Sequence, residues 1–452
     1  MTLIDELSAA LDSVVVDAEV LHSYRRDHGP VDVPAGLPAA LVRPRTTAEV
    51  ATAVEIAQRH ATPIVPRGAG TGLAGAANAI DGCIMISLEL MNQILRVDPV
   101  EKLAVVQPGV ITADVRRAAE PYGLWYPPDP SSHEISTIGG NIATNAGGLC
   151  CVKYGVTRQS VISLEVVLAD GRIVRFGSST RKGVVGYDFV GLITGSEGTL
   201  GIVTEATLRL RTKPQGATTV VAAFATTDAL AAALDAVHRC GVEVSLFEVM
   251  DNTTINAVED LLTMGLDRGS AGLVFLQVDG PAAGREKPAQ EMVAALDTAG
   301  PTERYTTDDD TEGELLLTAR RAALSALEQR GTTVLDDICV PVGELAATVS
   351  DIADIAQRHG VKIATFGHAG DGNLHPTLVL DEHSDHSAAW AAFDEIIETA
   401  RRRGGTASGE HGVGALKNHH AKLELGADVV GLHEAVKRAL DPKMLLNPAR
   451  GW

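Results

Sequence analysis

Aromatic side chains are scarce in this chain of 452 residues: Phe, Tyr and Trp together make up 4%. Base-stacking platforms for single-stranded nucleic acid need more of them. Positive charge is short as well, with 38 Lys and Arg against 58 Asp and Glu and a net charge of −20. That balance repels phosphate backbones and anionic membrane surfaces, so no nucleic acid is expected as a partner. An anionic small molecule must then be drawn in by a local site. No apolar run reaches the roughly 18–20 residues of a membrane span, so no span is expected. Cysteine is limited to Cys83, Cys150, Cys151, Cys240 and Cys339. Their number is odd and zinc-knuckle spacing is missing. Reduced thiols in a cytoplasmic protein are the expectation, with Cys150-Cys151 structural. The opening MTLIDELSAALDSVVVDAEV reads as an acidic amphipathic helix without a basic n-region or cleavage site. Neither a secretory signal nor a transit peptide is expected from it. Internal repeats and low-complexity tracts are lacking too.

What is present has an ordinary globular balance, 45% hydrophobic and 21% charged, enough for a sizeable core. At about 150 residues each, two to three domains are expected. From Leu41 strands and helices alternate. LVRPRTTAEVATAVEIAQRH predicts a strand and a helix from Thr47 to His60, followed by the strand TPIVPR. GCIMISLELM, LAVVQPGV and SLEVVLADGRIVRF predict further strands, the last folded at Asp170-Gly171. Residues 202–210 alternate apolar and polar, predicting a half-buried strand. Lys213-Pro214-Gln215-Gly216 marks a domain boundary. A second rhythm follows, with TTVLDDICVP as one strand and VKIATFGH paired with NLHPTLVL as a hairpin. It predicts a second α/β sandwich with helices on one face of a sheet.

Three glycine-rich segments interrupt these rhythms. VPRGAGTGLAGA (65–76) contains GxGxxG after a strand, and Glu89 lies about 20 residues on, as in a nicotinamide-binding fingerprint. That site also needs a helix opening at the glycines. Asn78 and Asp81-Gly82 leave no room for it. Successive glycine N–H groups can instead form an anion nest, with Arg67 either adding charge or sitting at the surface. PPDPSSHEISTIGGNIATNAGGLC (127–150) and GSEGTLGIVTEATLRL (195–210) offer more backbone and amide donors. They suit a large, flat, polar ligand lying on the backbone.

In this order and spacing, the three segments resemble the FAD-binding domain of the vanillyl-alcohol oxidase and p-cresol methylhydroxylase superfamily. The resemblance implies that the first loop binds the FAD pyrophosphate and the others wrap the flavin and ribityl chain. Carried over by position, the first loop contributes Pro66, Arg67, Gly68, Ala69, Gly70, Thr71 and Gly72. The second contributes Pro128, Ser136, Thr137, Gly139, Gly140, Asn141, Ala143 and Asn145. Gly198, Thr199, Gly201, Ile202 and Val203 come from the third, and Asn447 from the tail. Some members attach the flavin through a histidine in the first loop. No histidine lies between Arg67 and Ala77, so the FAD is expected to be non-covalent, with His133 a surface loop residue.

A second constellation lies in GHAGDGNLH (367–375) and GGTASGEHGVGALK (404–417). His368 and His375 flank a GDGN turn and should stand opposite each other at the end of a hairpin. With Glu410-His411 they make a sensible divalent-metal set with open positions. His383, His386, His419 and His420 lie in polar context and are assigned to the solvated surface. ARRAAL, DDICVPVGEL, GHAGDGNLH, GEHGVG and DPKMLLNP resemble the C-terminal half of the FAD-linked D-2-hydroxy-acid dehydrogenases. That group includes D-lactate dehydrogenase, D-2-hydroxyglutarate dehydrogenase and the glycolate oxidase flavin subunit. It implies metal ligands His368, His375 and Glu410 for Zn or Mn, a catalytic His411, and a substrate-carboxylate arginine at Arg320, with Arg321 as the alternative register.

The implied fold is α+β: a two-part FAD-binding domain (1–215), an α/β substrate or cap domain with a largely antiparallel sheet (216–420), and a returning tail (421–452). The implied activity is oxidation of a D-2-hydroxy acid to the 2-oxo acid by hydride transfer to flavin N5. Relatives acting on hydroxyglutarate carry extra polar residues where this chain has Leu324, Leu335 and Thr377. D-lactate or a larger apolar D-2-hydroxy monocarboxylate is therefore expected. D-2-hydroxyglutarate dehydrogenase, a glycolate oxidase flavin subunit and, more remotely, a non-redox flavoenzyme of the alkyl-glycerone-phosphate synthase type are the alternatives. The electron acceptor is open between a quinone, a cytochrome and an electron-transfer flavoprotein, and a homodimer is a candidate assembly.

Overall fold

The computed structural model describes residues 1–180, 182–380 and 386–451. His383 lies outside them. The chain forms two compact units.

The first unit comprises Met1–Gly147, Gly155–Lys213 and the C-terminal stretch from Glu410. One sheet holds β1 (Val14–Val15), β2 (Ala40–Val42), β3 (Ile64–Arg67) and β4 (Ile84–Ser87) in the order β1-β2-β4-β3. β2, β4 and β3 run parallel, so β2 and β3 need a crossover. The helix Thr47–Arg59 supplies it, capped by the Thr46 hydroxyl one residue before the expected start. Its Val50, Val54 and Ile56 pack on Ile84 and Ile86. The second sheet contains β5 (Ile94–Asp98), β6 (Leu103–Val106), β8 (Val161–Val167), β9 (Ile173–Gly177) and β10 (Ile202–Arg209). It is antiparallel in the order β5-β6-β10-β8-β9. A small ribbon joins β7 (Leu124–Trp125) to β11 (Arg211–Thr212).

The alternation read in 202–210 predicts one exposed face for β10. The structure corrects this. β10 is the central strand, its Ile202 lying in one apolar cluster and Val203, Ala206 and Leu208 in another. Both faces are covered, and only Glu205 and Arg209 reach solvent.

The second unit comprises Gly148–Tyr154 and Pro214–Gly409. Its sheet holds β12 (Ala217–Phe224), β13 (Leu246–Asp251), β14 (Gly272–Asp279), β15 (Glu303–Thr307), β16 (Thr332–Leu335), β17 (Ile338–Cys339), β18 (Ile363–His368) and β19 (Asn373–Leu380). The order is β15-β12-β14-β13-β18-β19-β16, with β17 also on β19, and every pairing is antiparallel. The expectation of helices on one face fails. Phe247, on one face, meets His238 of the helix Thr227–Arg239 at 5.0 Å between rings. The neighbouring Glu248, on the other face, meets Arg320 of the helix Asp310–Arg321. Strands buried on both sides need cover on both sides. β15 and the helix Asn252–Leu262 are additional to the sequence reading. β15 is a polar edge strand with little apolar pattern to find.

The units do not follow the expected boundaries at two places. Residues 148–154 pack with the second unit: Lys153 and Tyr154 both bond Asp279, and Val152 backs on Gly370. Residues 410–420 pack with the first, where Ala415 and Leu416 donate to the Ala74 carbonyl.

Candidate functional site

In the second unit one sheet face gathers the chemistry. β18 and β19 form the expected hairpin, with Phe366 opposite His375 and His368 opposite Asn373. His368 and His375 are thus diagonal rather than directly opposite. Residues two apart share a face, so both histidines still project to one side. Their rings lie 5.1 Å apart, edge to face. The turn between them is a single 3-10 turn, Ala369–Asp371, closed by Gly372 at φ +75°. A Cβ on Gly372 would fall 2.1 Å from the Val340 carbonyl oxygen, so this position requires glycine on both counts.

β13 adds Glu248, directly opposite His368. Its carboxylate is fully buried and receives His368 Nδ1 at 2.8 Å. Arg320 reaches the same carboxylate from its helix, Nη2 lying 2.7 Å from Oε2. The distance is that of an ion pair, but the N–H directions miss: Nε and Nη2, its side-on fork, carry no hydrogen bond. The guanidinium is 2% exposed and lies 4.9 Å over the Phe366 ring. Arg321 instead is half-buried and pairs with Glu314, so of the two neighbouring arginines it is Arg320 that is buried on the sheet face.

The predicted strand TTVLDDICVP breaks at two buried acids, Asp336 and Asp337. Asp337 Oδ1 accepts from Asn373 Nδ2 at 2.8 Å and lies 3.6 Å from His375 Nδ1. Its Oδ2 accepts from Ser408, and its carbonyl from the Gly409 N–H. Each histidine therefore has a buried carboxylate at its Nδ1 side. Leu335 pairs across the strand with Thr377, on the face that bears His375. Thr377 is fully buried and gives its hydroxyl to the His375 carbonyl.

In the first unit the three glycine segments converge, and no helix follows the first of them. A Cβ on Gly68 would lie 2.4 Å from Thr137 Oγ1, and one on Gly198, at φ +70°, 2.4 Å from Pro66 Cγ. The third segment lies on the second, with Gly195 N–H donating to Ile142 and Glu197 N–H to Ala143. Thr137 caps the short helix Ile138–Thr144, which ends in left-handed Asn145. Ser136 and Asn141 both brace Thr112, and Gly139 packs on Pro108. Arg116 gathers the carbonyls of Tyr126, Pro127 and Pro128. Thr199 presents its carbonyl to buried Lys437. Asn447, left-handed at φ +43°, spends its amide N–H groups on Ala76 and Glu197 carbonyls.

Arg67 is buried over the Tyr24 ring at 5.7 Å, not at the surface. Burial pushes its guanidinium pKa down, opposed by the Asp27 charge. Glu89, the apparent ribose acid, is occupied by Tyr24 and Arg43. His133 turns its Nδ1 onto the Pro130 carbonyl. Glu410 and His411 belong to this unit and are half-buried, His411 Nε2 lying 3.6 Å from Glu410 Oε1. The glycines after them meet Glu197: Gly414 N–H lies 3.0 Å from both carboxylate oxygens, and a Cβ on Gly412 would fall 2.3 Å from Oε1.

Sequence reasoning passed over Glu248, Asp337, Asn373 and Glu197. A detectable signal existed for Glu248, an acid between apolar neighbours in the predicted strand VSLFEVMD, and for the Asp336-Asp337 pair inside a predicted strand. Glu197 had no such mark within GSEGTLG.

Residues 38–177 match a family model described as FAD binding domain, and residues 213–450 match FAD linked oxidases, C-terminal domain. The chain is 43% identical to glycolate oxidase subunit GlcD of Bacillus subtilis (strain 168), over 92% of this chain and 89% of the relative. It is 34% identical to D-lactate dehydrogenase of Anaerostipes hadrus, over 91% and 89%. With D-2-hydroxyglutarate dehydrogenase of Stutzerimonas stutzeri (strain A1501) it shares 32% identity over 99% and 98%. A solved structure of p-cresol methylhydroxylase with substrate bound matches with a TM-score of 0.83 at 19% identity, covering 99% of this chain and 96% of that one.

The fold is therefore the α+β, FAD-binding fold of the p-cresol methylhydroxylase type. The chain belongs to the FAD-linked oxidase family and is an FAD-dependent oxidoreductase. Its cradle fits such a ligand: Arg67 Nη1 and Ser196 Oγ are buried without a hydrogen-bond partner. Glycines at 68, 70 and 198 keep side chains off the converging backbone. Among the described residues, no helix is long and apolar enough to cross a membrane.

Proposed function

We propose that this protein oxidises a D-2-hydroxy acid to the 2-oxo acid, with D-lactate or a larger apolar D-2-hydroxy monocarboxylate as substrate. The observation that carries this reading is Arg320, buried and ion-paired with Glu248, with Nε and Nη2 making no hydrogen bond. A carboxylate fits that fork with two parallel hydrogen bonds. Bound FAD supplies the two-electron acceptor for the C2 hydride. Pro66–Gly72, the 136–145 segment, Gly198–Val203 and Asn447 hold it without a covalent bond.

His368, His375 and Glu410 are the proposed ligands of a divalent cation, Zn²⁺ or Mn²⁺. Two imidazoles and a carboxylate are an apt donor set. Buried carboxylates behind both histidines support it, because such partners orient ligating imidazoles. The cation would supply Lewis acidity to the substrate hydroxyl. His411 takes the hydroxyl proton on an imidazole nitrogen.

Substrate choice follows from what lines the same sheet face. Leu335 and Thr377 offer no amine or free amide to a second carboxylate, and burying one unpaired is costly. Leu324 lies half-buried on the next helix turn. Glycolate is the second reading, favoured by the 43% relative. Anaerobic bleaching of the flavin and steady-state kcat/KM across D- and L-2-hydroxy acids and glycolate test both. D-Lactate or D-2-hydroxyisocaproate should give the highest kcat/KM. A higher value for D-2-hydroxyglutarate overturns the substrate assignment, and a higher value for glycolate selects the second reading.

A further inference from the structure

Glu248 has no chemical step to perform in the reaction above, yet it touches two groups that do. It lies in β13 flanked by buried Phe247 and Val249, and no part of its side chain reaches water. A carboxylate there persists as a charge only if partners surround it. The partners come from different elements. His368 is its cross-strand neighbour on β18 and places Nδ1 2.8 Å from Oε1. Arg320 arrives on the helix Asp310–Arg321 and places Nη2 2.7 Å from Oε2. That helix is seated closely, since a Cβ on Gly313 would lie 2.6 Å from Thr219 Oγ1 on the same sheet face.

We propose that Glu248 is a positioning residue that couples the histidine of the cation site to the arginine that binds the substrate carboxylate. This rests on the function proposed above. One carboxylate fixes both neighbours. By accepting at Nδ1 it keeps the His368 proton there and leaves Nε2 with the lone pair a cation needs. By attracting Nη2 it sets the angle of the Arg320 fork over Phe366. It also offsets the guanidinium charge, so the pocket binds a carboxylate through directed N–H groups rather than through a bare positive field.

The substitution Glu248→Gln separates the two duties. A carboxylate accepts on both oxygens, whereas an amide accepts on one side and donates on the other. If the amide oxygen keeps His368, the amide NH₂ faces the Arg320 donors and displaces them. If the oxygen keeps Arg320, the NH₂ faces His368 Nδ1 and drives the proton to Nε2, which can then no longer ligate. Either arrangement loses one function.

The test compares holoenzyme of the parent, Glu248→Gln and the surface control Glu314→Gln. Mn²⁺ binding is followed by loss of the free-ion EPR signal, with KM and kcat for D-lactate, flavin content and the thermal transition measured alongside. The expectation is a loss of about 10- to 100-fold in Mn²⁺ affinity, or a similar rise in KM, at unchanged flavin content. Glu314→Gln should match the parent. Should Glu248→Gln fail to fold, the double variant Glu248→Leu with Arg320→Met removes both charges at once. It should still bind Mn²⁺ at least about 10-fold more weakly than the parent. Glu248→Gln or the double variant with parental Mn²⁺ affinity, and in Glu248→Gln also a parental KM, overturns the coupling and leaves the proposed function standing. A parent that binds no Mn²⁺ and does not oxidise D-lactate overturns both.

Discussion

Glu197 is the sharpest place to test the electrostatics of the first unit. Its carboxyl is buried, and burial pushes its pKa from 4.5 up to about 7, against the pull of the Gly414 and Val413 N–H groups. The unfolded chain therefore releases this proton near pH 4.5, while the folded chain holds it to about pH 7. In that window the native state binds more protons, so stability falls as pH rises. At about 1.4 kcal/mol per pH unit the total is about 3 kcal/mol, lost between pH 4.5 and 7 and flat above. Glutamine resembles the protonated acid in shape and keeps an acceptor for the Gly414 N–H. Parent and Glu197→Gln should thus be equally stable near pH 4.5. At pH 8 the variant should be more stable by about 2–3 kcal/mol, less whatever its single acceptor loses. Asp251, also raised by burial, to about 6, is present in both proteins and cancels. Denaturant unfolding at saturating FAD, followed by release of flavin fluorescence at pH 5, 6, 7 and 8, reads the difference. A parent–variant gap that does not change with pH, or that favours the parent more at pH 8, would refute the reasoning.

Three further outcomes follow from named contacts. Gly198→Ala puts a Cβ 2.4 Å from Pro66 Cγ in a left-handed residue. Strain of about 1–2 kcal/mol plus overpacking of about 1–3 kcal/mol should weaken FAD retention, seen as a lower ratio of flavin to protein absorbance after gel filtration. His411→Ala should keep flavin and metal but slow single-turnover flavin reduction by about 10²- to 10⁴-fold; near-normal reduction would remove it as the base. Leu335→Lys with Thr377→Asn places polar groups on neighbouring strands of the site face. It should raise kcat/KM for D-2-hydroxyglutarate relative to D-lactate by at least about tenfold, and an unchanged ratio would show that specificity lies elsewhere.

Much of the site was legible before any coordinates. Three glycine segments pointed to one backbone-lined cradle, and the contacts of Gly68 with Thr137 and of Gly198 with Pro66 bring them together. The hairpin bearing His368 and His375 was readable because turn residues separate two apolar runs. Other features were not. Period-two alternation in 202–210 looks the same whether a strand is central or at an edge, so the burial of β10 on both faces was missed. Glu197 sits among neighbours like those of ordinary surface acids, and the largely apolar stretches around Glu248 and Asp337 do not by themselves say which groups those carboxylates meet.

Local chemistry in the sequence determined most of the elements, the hairpin, a glycine segment with no helix after it, and residue types suited to a flavin and a cation. These follow from backbone freedom, period and donor type, which are properties of short stretches. Only the tertiary structure decided that Arg320 rather than Arg321 faces inward, that Arg67 is buried, and that Glu248 stands behind both His368 and Arg320. The reason is physical: a carboxylate becomes a positioning group only when folding strips its water and brings partners from strands and helices tens of residues apart.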